Sequence, residues 1–421
     1  MPLSSLAALA GVLAVGYLIV IAAAVVSGAL ARGGRRDRAL ESDDVLAISR
    51  FTIPVSILVP VIDDGSSIVP LIRSLLALNY PEFEIVVVAE GRGVAALAAL
   101  REEWKLEPKE VFYRRTIDTA PVRRIYGSGR EARMIVVEKA AGGRADALNC
   151  GASLARFRYL VSLPGDVRFD ADALLRLMSP AIIDPGAVLA VTGAVERRGD
   201  DAGPAADFQT LASLRSWMAA RLAWHQPRAG LPPRDSAVAW RRDAVLEAGG
   251  FAAGTADPEV DLLVRLQTSH ARGSVVRTWA VFGRAGTLSL RAAARQAVRR
   301  RRALLEAFGL FWNRRGRAAG RLALAPTLVV ELLTPLIELF VVALTVAGAA
   351  MGRLHWTAPA LAILLVAFGQ GMVSAAALLM RGASADAPAG AELRRLLLQA
   401  PLEFTIYRPA LAWARFRGAG S

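Results

Sequence analysis

Cysteine, histidine and lysine are scarce in this sequence of 421 residues. Cys150 is alone, so a disulfide within the chain is impossible and nothing requires an oxidising compartment. The histidines, His225, His270 and His355, are isolated from one another, which excludes a histidine-rich metal motif. Only three lysines occur, so arginine carries almost all of the positive charge.

The sequence is both basic and apolar. Its formal net charge is +14, and 54% of its residues are hydrophobic. A basic chain is a candidate for nucleic-acid binding. Here the arginine runs lie beside long apolar segments, so we expect membrane lipids as partners and no nucleic acid.

A long apolar segment lies near the start of the sequence. Residues 6–31 are almost wholly apolar, and about 20 such residues suffice to cross a bilayer. No Lys or Arg precedes this segment, whereas several arginines follow it directly. The competing interpretation, a signal peptide, requires a positive amino end and a small-residue cleavage site. By the positive-inside rule we expect an anchor with its amino end outside and the next domain in the cytosol.

Two further apolar segments lie towards the carboxyl end. Residues 322–350 contain Pro335, which predicts an interfacial first half, a bend and then a membrane span. Residues 356–380 predict a second span. The amphipathic sequence 393–417 predicts a helix lying on the membrane, with a spanning helix as the open alternative. We therefore expect a multi-pass protein of the cell (inner) membrane with a cytoplasmic main domain.

Between the apolar ends, predicted strands and helices alternate. Residues 55–59 and 83–88 have the composition of buried strands, and residues 67–78 between them predict a helix. Strand, helix and strand in this order predict a parallel βαβ unit and an α/β fold. The sequence GRG after the second strand resembles a dinucleotide fingerprint, but that motif belongs after the first strand, so no nicotinamide cofactor is expected.

One stretch dominates the middle of the chain. KAAGGRADALNCG begins at Lys139, and YLVSLPGD follows it after a short predicted helix and ends at Asp166. Two glycines predict a flexible loop before Arg144, and the strand 159–163 ends at a Pro-Gly turn. Asp166 therefore lies beyond the carboxyl end of a strand, where open α/β sheets bind ligands. A basic loop and a carboxylate at such an edge suit a phosphorylated ligand with a metal ion.

These residues resemble the family-two glycosyltransferases, whose loop commonly reads GGKADALNxG before an Asp-x-Asp motif. In that motif Pro164 takes the place of the first aspartate and Asp166 that of the second. The sequences PVSILVPVIDD and SLLALNYPEFEIVVV resemble the opening of the same family. In relatives those two strands end in Asn-Glu and Asp-Asp-Gly, where this chain has Asp63-Asp64 and Ala-Glu90-Gly.

The resemblance implies a Rossmann-like GT-A glycosyltransferase domain with flanking transmembrane helices. Relatives of this shape include processive synthases of poly-N-acetylglucosamine, chitin and cellulose. The implied reaction transfers a sugar, with inversion, from a nucleotide-diphosphate sugar such as a UDP-sugar to a glycan or lipid-linked acceptor, in cell-surface polysaccharide synthesis. Mg²⁺ or Mn²⁺ is the implied cofactor. The alternative is a catalytically impaired homologue that binds a nucleotide sugar, or acts as a scaffold, beside a synthase partner subunit.

The implied catalytic residues follow the sequence RRDAVLEAGGF. Relatives place a similar segment ahead of a helix that begins Glu-Asp, with the aspartate as the catalytic base. The corresponding helix here begins DPEVDLLVR, so Glu259 takes the place of the base and Asp261 lies half a turn further on. The open alternative is a simple helix start, where acids are favoured by the helix dipole.

The resemblance also assigns the ligands. The sequence RQAVRR resembles the family's Gln-x-x-Arg-Trp, which helps to bind diphosphate, with Arg300 in place of the tryptophan. An arginine-rich contact with anionic lipids is a second interpretation, compatible with the first. The metal ligand is Asp166, and the residues expected to bind the nucleotide sugar are Asp63, Asp64, Glu90, Arg144, Asp146, Gln296, Arg299 and Arg300.

The predicted organisation has six parts. They are a transmembrane anchor (1–32), a linker (33–53), a cytosolic GT-A domain (54–290), an Arg-rich interfacial segment (291–321), a transmembrane region (322–381), and a linker with an amphipathic C-terminal helix (382–421).

Overall fold

A computed structural model describes most of the chain. The described residues are 52–62, 68–165, 167–197, 203–222, 235–269, 274–313, 334–353, 355–381, 390–407 and 410–411. The predicted anchor 1–32 and the apolar sequence 322–333 lie outside them. So do three of the predicted site residues, Asp63, Asp64 and Asp166.

Ten strands of the described chain form one mixed sheet, in the order β3-β4-β5-β2-β1-β6-β9-β8-β10-β7. The strands are β1 Val55–Val61, β2 Phe83–Glu90, β3 Leu106–Pro108, β4 Val122–Ser128, β5 Met134–Lys139, β6 Tyr159–Ser162, β7 Val167–Phe169, β8 Val188–Arg197, β9 Ser236–Arg241 and β10 Ser274–Ala285.

Helices cover both faces of this sheet and continue beyond it. They are α1 Ile68–Leu76, α2 Ala96–Trp104, α3 Arg144–Leu154, α4 Ala173–Ile183, α5 Pro204–Leu222, α6 Arg242–Glu247, α7 Pro258–Ser269, α8 Leu290–Asn313, α9 Thr334–Ala350, α10 Thr357–Arg381 and α11 Gly390–Leu402. A 3₁₀-helix, Gly91–Ala95, precedes α2, and a π-helical turn, Glu403–Tyr407, follows α11.

The centre of the sheet is parallel. β1 pairs in parallel with β2 and with β6, and β2 pairs in parallel with β5. The βαβ unit predicted from the alternation of strands and helix is therefore confirmed. Because parallel strands end at the same edge, the carboxyl ends of β5, β2, β1 and β6 meet there in that order. This edge carries the residues of the candidate site.

The core consists of two apolar layers, one on each face of the sheet. Ile57 belongs to the layer beneath α1, α2 and α4, whereas the next residue, Leu58, belongs to the layer beneath α3, α6 and α7. Successive side chains of a strand point to opposite faces, so a strand covered on both sides must be apolar throughout. That requirement explains the continuous hydrophobic composition of β1 and β2.

The sequence patterns did not predict the strands β4 and β10. The segment 105–131 contains β4, which pairs antiparallel with β5. Arg123 and Arg124 of β4 are exposed, and Ile125 and Tyr126 are its buried residues. Pairing with β5, and not the local pattern, therefore makes this segment a strand. The long strand β10 was not predicted either, and it pairs in parallel with β8.

The carboxyl-terminal helices attach to the sheet through α5. Leu214 of α5 packs with Val373 of α10 and Leu396 of α11 in a separate apolar cluster. Arg215 of α5 donates a hydrogen bond to Ser374 at 3.1 Å and pairs with Glu403, all in buried positions. These contacts fix α10 and α11 against the domain.

One helix among the described residues is long and apolar enough to cross a membrane, over Thr357–Leu378 in α10. Half of its apolar window is buried against neighbouring helices. The other side exposes Leu361, Leu364 and Phe368, each about two-thirds accessible (64%, 65% and 65%). Pro335, where a bend was expected, lies in the first turn of α9. The residues just before α9 lie outside the described part of the chain.

Candidate functional site

A buried lysine connects two strand ends to the loop that precedes α3. Lys139 ends β5, and its Nζ donates hydrogen bonds to Glu90 Oε2 and to the Ala140 carbonyl, both at 2.8 Å. It also pairs with Asp146 of α3. Burial opposes the charge on Lys139, but the hydrogen bonds and charges of Asp146 and Glu90 outweigh it and raise the lysine pKa. Lys139 is therefore a cation inside the protein, where its partners compensate the loss of water.

Glu90 holds the glycine loop in place. Its carboxylate accepts hydrogen bonds from the backbone N–H groups of Gly143 at 2.6 Å and Gly142 at 3.1 Å. Gly143 has a φ of +86°, which favours glycine, and a Cβ at Gly142 would overlap the Asp146 carboxylate. Glu90 was predicted to contact the nucleotide, but both of its carboxylate oxygens already accept hydrogen bonds from Lys139 or from the glycine loop. Its direct contact with a nucleotide stays a prediction.

Asp146 is held by the same network. Its Oδ1 accepts a hydrogen bond from the Ala120 backbone N–H at 2.9 Å, while its Oδ2 faces Lys139. The contact with Ala120 attaches the segment before β4 to the first turn of α3. Like Glu90, Asp146 is thus placed to shape the loop, and its contact with a nucleotide sugar stays a prediction.

Arg144 joins three sequence motifs at one point. It opens α3, and its Nη2 lies 2.5 Å from Glu259 Oε1, while its Nε lies 3.2 Å from both carboxylate oxygens. Its Nη2 also donates to the Leu163 carbonyl at 3.1 Å, directly before the Pro-Gly turn that leads to residue 166. The loop, the end of β6 and the start of α7 therefore meet at this guanidinium group.

The start of α7 is capped by Asp257. Its Oδ1 accepts hydrogen bonds from the backbone N–H groups of Glu259 and Val260, both at 3.1 Å. Pro258 occupies the first helical position, where a missing N–H has no consequence. The sequence left two interpretations of this segment open, a helix start and a catalytic base. The geometry accommodates both, because Asp257 caps the helix while the Glu259 side chain turns towards Arg144.

Four charged groups meet at this helix start. Burial and the charge of Glu259 raise the pKa of Asp257, whereas the Val260 N–H, Arg300 and Arg144 partly offset that rise. Arg300 comes from α8 and is buried, at 6% accessibility. It reaches this place because α8 packs on α7 through a small apolar cluster. Of the two arginines that end the RQAVRR sequence, Arg300 therefore lies near Asp257 at the start of α7.

Asp261 has other neighbours. Its Oδ2 lies 2.7 Å from Arg265 Nε, and Arg265 donates to the carbonyls of Ala248 at 2.5 Å and Gly250 at 2.6 Å. Residues two apart on a helix are separated by about 200°, so Asp261 and Glu259 point in different directions. The contacts of Asp261 are those of a pair that holds α7 against the end of α6. A catalytic role for Asp261 stays a prediction.

Gln296 and Arg299 differ in their surroundings. Gln296 Nε2 donates to Asp235 Oδ1 at 2.8 Å, and Asp235 also binds Arg197 Nη2 at 2.9 Å. This network connects α8 to the start of β9 and the end of β8. Arg299 is exposed on α8. Of the three predicted residues of this box, Arg300 alone is shown beside the acids of α7.

Sequence reasoning gave no role to Asn149, which ties two motifs together. Its Nδ2 donates to the Phe251 carbonyl at 2.9 Å, and its Oδ1 accepts from the Phe251 N–H at 2.8 Å. Gly250, with a φ of +77°, allows this approach. The sequence offered one signal for this contact. Asn149 belongs to the motif KAAGGRADALNCG, and Phe251 ends the motif RRDAVLEAGGF. Lys139 and Asp257 were also overlooked as parts of the site.

The described residues include no group of three or more His, Cys, Asp or Glu side chains placed to hold a metal ion. The predicted metal ligand, Asp166, lies outside them. Its neighbour Gly165 is described, directly after the Pro164 turn at the edge of the sheet. A Mg²⁺ or Mn²⁺ ion on a nucleotide needs one or two carboxylates in addition to phosphate oxygens, and a single aspartate satisfies the smaller of these numbers.

Comparisons with known proteins give a fold and no family. No family model matches the sequence, and no curated protein matches it. A solved mannosyltransferase from Pyrobaculum calidifontis, in complex with GDP-Man and Mn²⁺, is similar at a TM-score of 0.51 and 15% identity, over 93% of this chain and 98% of that one. TarS from S. aureus, in complex with UDP-GlcNAc, has a TM-score of 0.43 and 12% identity over 85% of this chain and 92% of that one.

The likeness to the mannosyltransferase concerns the fold alone, because the sequences differ at most positions. It agrees with the α/β prediction and with the parallel strands whose carboxyl ends carry the site. The chain therefore has a mixed α/β fold similar to that of the solved mannosyltransferase.

Proposed function

We propose that this protein is a glycosyltransferase that transfers a sugar, with inversion, from a nucleotide-diphosphate sugar to a glycan or lipid-linked acceptor. The observation that carries the proposal is the meeting of Arg144 with Glu259 at the carboxyl edge of the sheet. A cation suited to diphosphate and an acid suited to proton transfer lie together there. The GDP-Man and Mn²⁺ bound to the similarly folded mannosyltransferase support a nucleotide sugar and a divalent metal here.

Sugar transfer with inversion requires a nucleophile, a leaving group and a base. The acceptor hydroxyl oxygen attacks the anomeric carbon from the face opposite the leaving group. A bond from that oxygen to the anomeric carbon forms, and the bond from the anomeric carbon to the phosphate oxygen breaks. The nucleoside diphosphate leaves with the electron pair. Glu259 takes the hydroxyl proton as the general base.

Arginines stabilise the leaving group. Arg144 and Arg300 lie beside the acids of α7, and Arg299 is exposed one residue before Arg300. The planar fork of a guanidinium group matches two phosphate oxygens at once, which favours arginine over lysine for this task. In the described structure Arg144 is bound to Glu259. Diphosphate therefore competes with Glu259 for Arg144 and, on binding, releases the carboxylate to act as the base.

A bound Mg²⁺ or Mn²⁺ ion would neutralise charge on the leaving diphosphate. Asp166 is the residue that we assign to hold this ion, and its turn follows Leu163, which Arg144 contacts. The acids after β1, Asp63 and Asp64, are assigned to the nucleoside. Glu90 and Asp146 are assigned to the same ligand through the glycine loop that they hold.

We also propose that the domain works at the cytoplasmic face of the cell (inner) membrane, anchored by more than one helix. The exposed apolar side of α10 supports contact with lipid, since a row of large apolar residues in water is unfavourable. The many arginines of α8 would contact anionic headgroups under this proposal. Among glycosyltransferases, a processive polysaccharide synthase fits this arrangement. The six domain boundaries predicted from the sequence remain part of this proposal.

Calorimetry with UDP- and GDP-sugars, with and without Mn²⁺, tests the proposal on the full chain in detergent or nanodiscs. Metal-dependent binding, followed by release of nucleoside diphosphate in the presence of an acceptor, is the expected result. Binding without turnover would replace the enzyme with the nucleotide-sugar-binding subunit of a synthase. Absence of binding to any donor would overturn both and leave a scaffold.

A further inference from the structure

Asp257 is bound to the backbone of the residue proposed as the base. Its Oδ1 accepts from the N–H of Glu259 itself and from the next N–H, that of Val260. These two bonds determine where α7 begins and in which direction its first turn faces. The direction of the first turn in turn determines where the Glu259 side chain projects.

Capping alone does not require a charge at this position. Serine, threonine and asparagine cap helices about as well as aspartate does. Asp257 is half-buried, and the pKa of its carboxyl group is raised chiefly by burial and next by the charge of Glu259. An acid thus lies where burial disfavours its charged form, although a neutral residue would cap the helix equally well.

Charged residues from three helices lie near the Asp257 carboxyl group. Glu259 lies on the same helix, Arg144 comes from α3, and Arg300 comes from α8. Glu306 of α8 accepts a hydrogen bond at 2.9 Å from the backbone N–H of Ala256, the residue before Asp257. Asp257, which caps α7, and Glu259 in its first turn therefore lie near two arginines from neighbouring helices, and removal of Asp257 would take one negative charge away from the surroundings of Glu259.

We propose that Asp257 is a positioning residue for the transfer reaction, which orients Glu259 through the helix cap and keeps it basic through its negative charge. The positive end of α7 and the Arg144 guanidinium both bring positive charge to the place of Glu259. The carboxylate of Asp257 acts against them. It also attracts Arg300 towards the place where a diphosphate leaves. This inference rests on the proposed function.

Two variants separate the cap from the charge. Asp257→Asn keeps a capping oxygen and removes the charge, whereas Asp257→Ala removes both. Asp243→Asn is the matched control, because Asp243 accepts the Ala244 N–H at the start of α6, away from these charges. We expect Asp257→Asn to lower kcat about tenfold and to move the acidic limb of the kcat–pH profile down by roughly one unit. Asp257→Ala should lose more activity, and Asp243→Asn should change neither quantity.

A second readout does not need activity. An acid whose pKa is raised in the fold makes the native protein less stable above that pKa, and the effect disappears below the ordinary value of 3.8. Asp257→Asn should therefore raise Tm at pH 7, and the gain should shrink as the pH falls towards 4. Asp257→Ala, which also loses the cap, should raise it less or lower it.

The outcomes are distinguishable. An unmoved acidic limb, with equal loss of kcat in Asp257→Asn and Asp257→Ala, would reduce Asp257 to a helix cap and overturn the inference. A parent protein that transfers no sugar would overturn the proposed function instead. In that case a lower Tm for Asp257→Asn at pH 7 would also remove the argument that the charge is kept against stability.

Discussion

Arg144 and Glu259 are 115 positions apart in the sequence, and their side chains are bound through two nitrogens and two oxygens. Arg144 opens one helix behind the glycine loop, and Glu259 lies in the first turn of another. A proposed diphosphate ligand and a proposed base thus neutralise each other in the described structure. Each must leave the other before either can act on a substrate.

Glu259→Gln should affect the two steps in opposite directions. A general base contributes about 10²–10⁴-fold in rate, so kcat should fall by that order. Donor affinity should rise several-fold, because a neutral amide no longer competes with diphosphate for Arg144. Single-turnover kinetics and calorimetry with a nucleotide sugar measure the two quantities. In an Arg144→Gln background the gain in affinity should vanish, and its persistence there would contradict the competition.

Asp261→Asn should act on stability more than on rate. Asp261 and Arg265 form a largely buried pair, with 10% and 14% of their side chains exposed. Loss of one charge leaves Arg265 without its ionic partner, so the free energy of unfolding should fall by about 1–3 kcal/mol. Denaturant unfolding measures that change, and kcat should stay within a few-fold of the parent. A loss of kcat as large as that of Glu259→Gln would make Asp261 part of the catalytic group.

Lys139→Met should be strongly destabilising. It would leave Glu90 and Asp146 without their buried cation, and breaking such a pair lowers the free energy of unfolding by about 3–5 kcal/mol. Lys109→Met, at an exposed lysine, is the control. Since the Lys139 pKa is raised above its ordinary 10.5, its stabilisation is complete below that value and is lost only at higher pH. The difference between variant and parent should therefore be constant near neutral pH and shrink in strong alkali.

Asp166→Asn should abolish the metal dependence of nucleotide binding and leave the thermal unfolding midpoint nearly unchanged. Leu163, whose carbonyl accepts a hydrogen bond from Arg144, lies three positions before Asp166 in the sequence, and this is why we assign Asp166 to the metal. Calorimetry with and without Mn²⁺ measures the effect. Asp172→Asn tests a nearby acid that binds Asn79. Equal metal dependence in Asp166→Asn and in the parent would remove Asp166 from the metal site.

Leu364→Gln combined with Phe368→Gln should weaken binding to phospholipid vesicles. Both side chains lie on the exposed side of α10, so the change removes apolar surface without affecting the buried side. Co-sedimentation with vesicles measures the effect. Ile183→Gln, at a side chain 70% exposed on α4, is the matched control. Unaltered binding in the double variant would separate α10 from the membrane.

The parallel centre of the fold could be predicted from the sequence, because local patterns determine it. Apolar strands such as β1 and β2 and the intervening helix α1 each have a recognisable composition. β4 could not be predicted, since exposed arginines occupy part of it and its pairing with β5 depends on tertiary contacts. The same applies to β10, whose partner β8 lies far away in the sequence.

Much of the candidate site was recognisable by residue type, but its contacts were not. Motifs named Arg144, Glu259 and Arg300 separately, and the carboxyl edge of the sheet was expected to collect such residues. The sequence carries no information on side-chain direction, which decides that Arg144 faces Glu259 while Asp261 faces Arg265. It also gave no reason to expect that Glu90 and Lys139 would be buried partners.

The two hydrogen bonds between Asn149 and Phe251 restrict how this site can move. They connect α3 to the turn that leads towards α7, so we expect these elements to move together. We therefore do not expect hinge motion between them to break the Arg144–Glu259 contact. The adjustment to a bound donor then falls on rotation of the Arg144 side chain, which is 32% exposed, and on small sliding of α8 over α7. Such local rearrangements are faster than domain closure, so loading of the donor should not limit turnover.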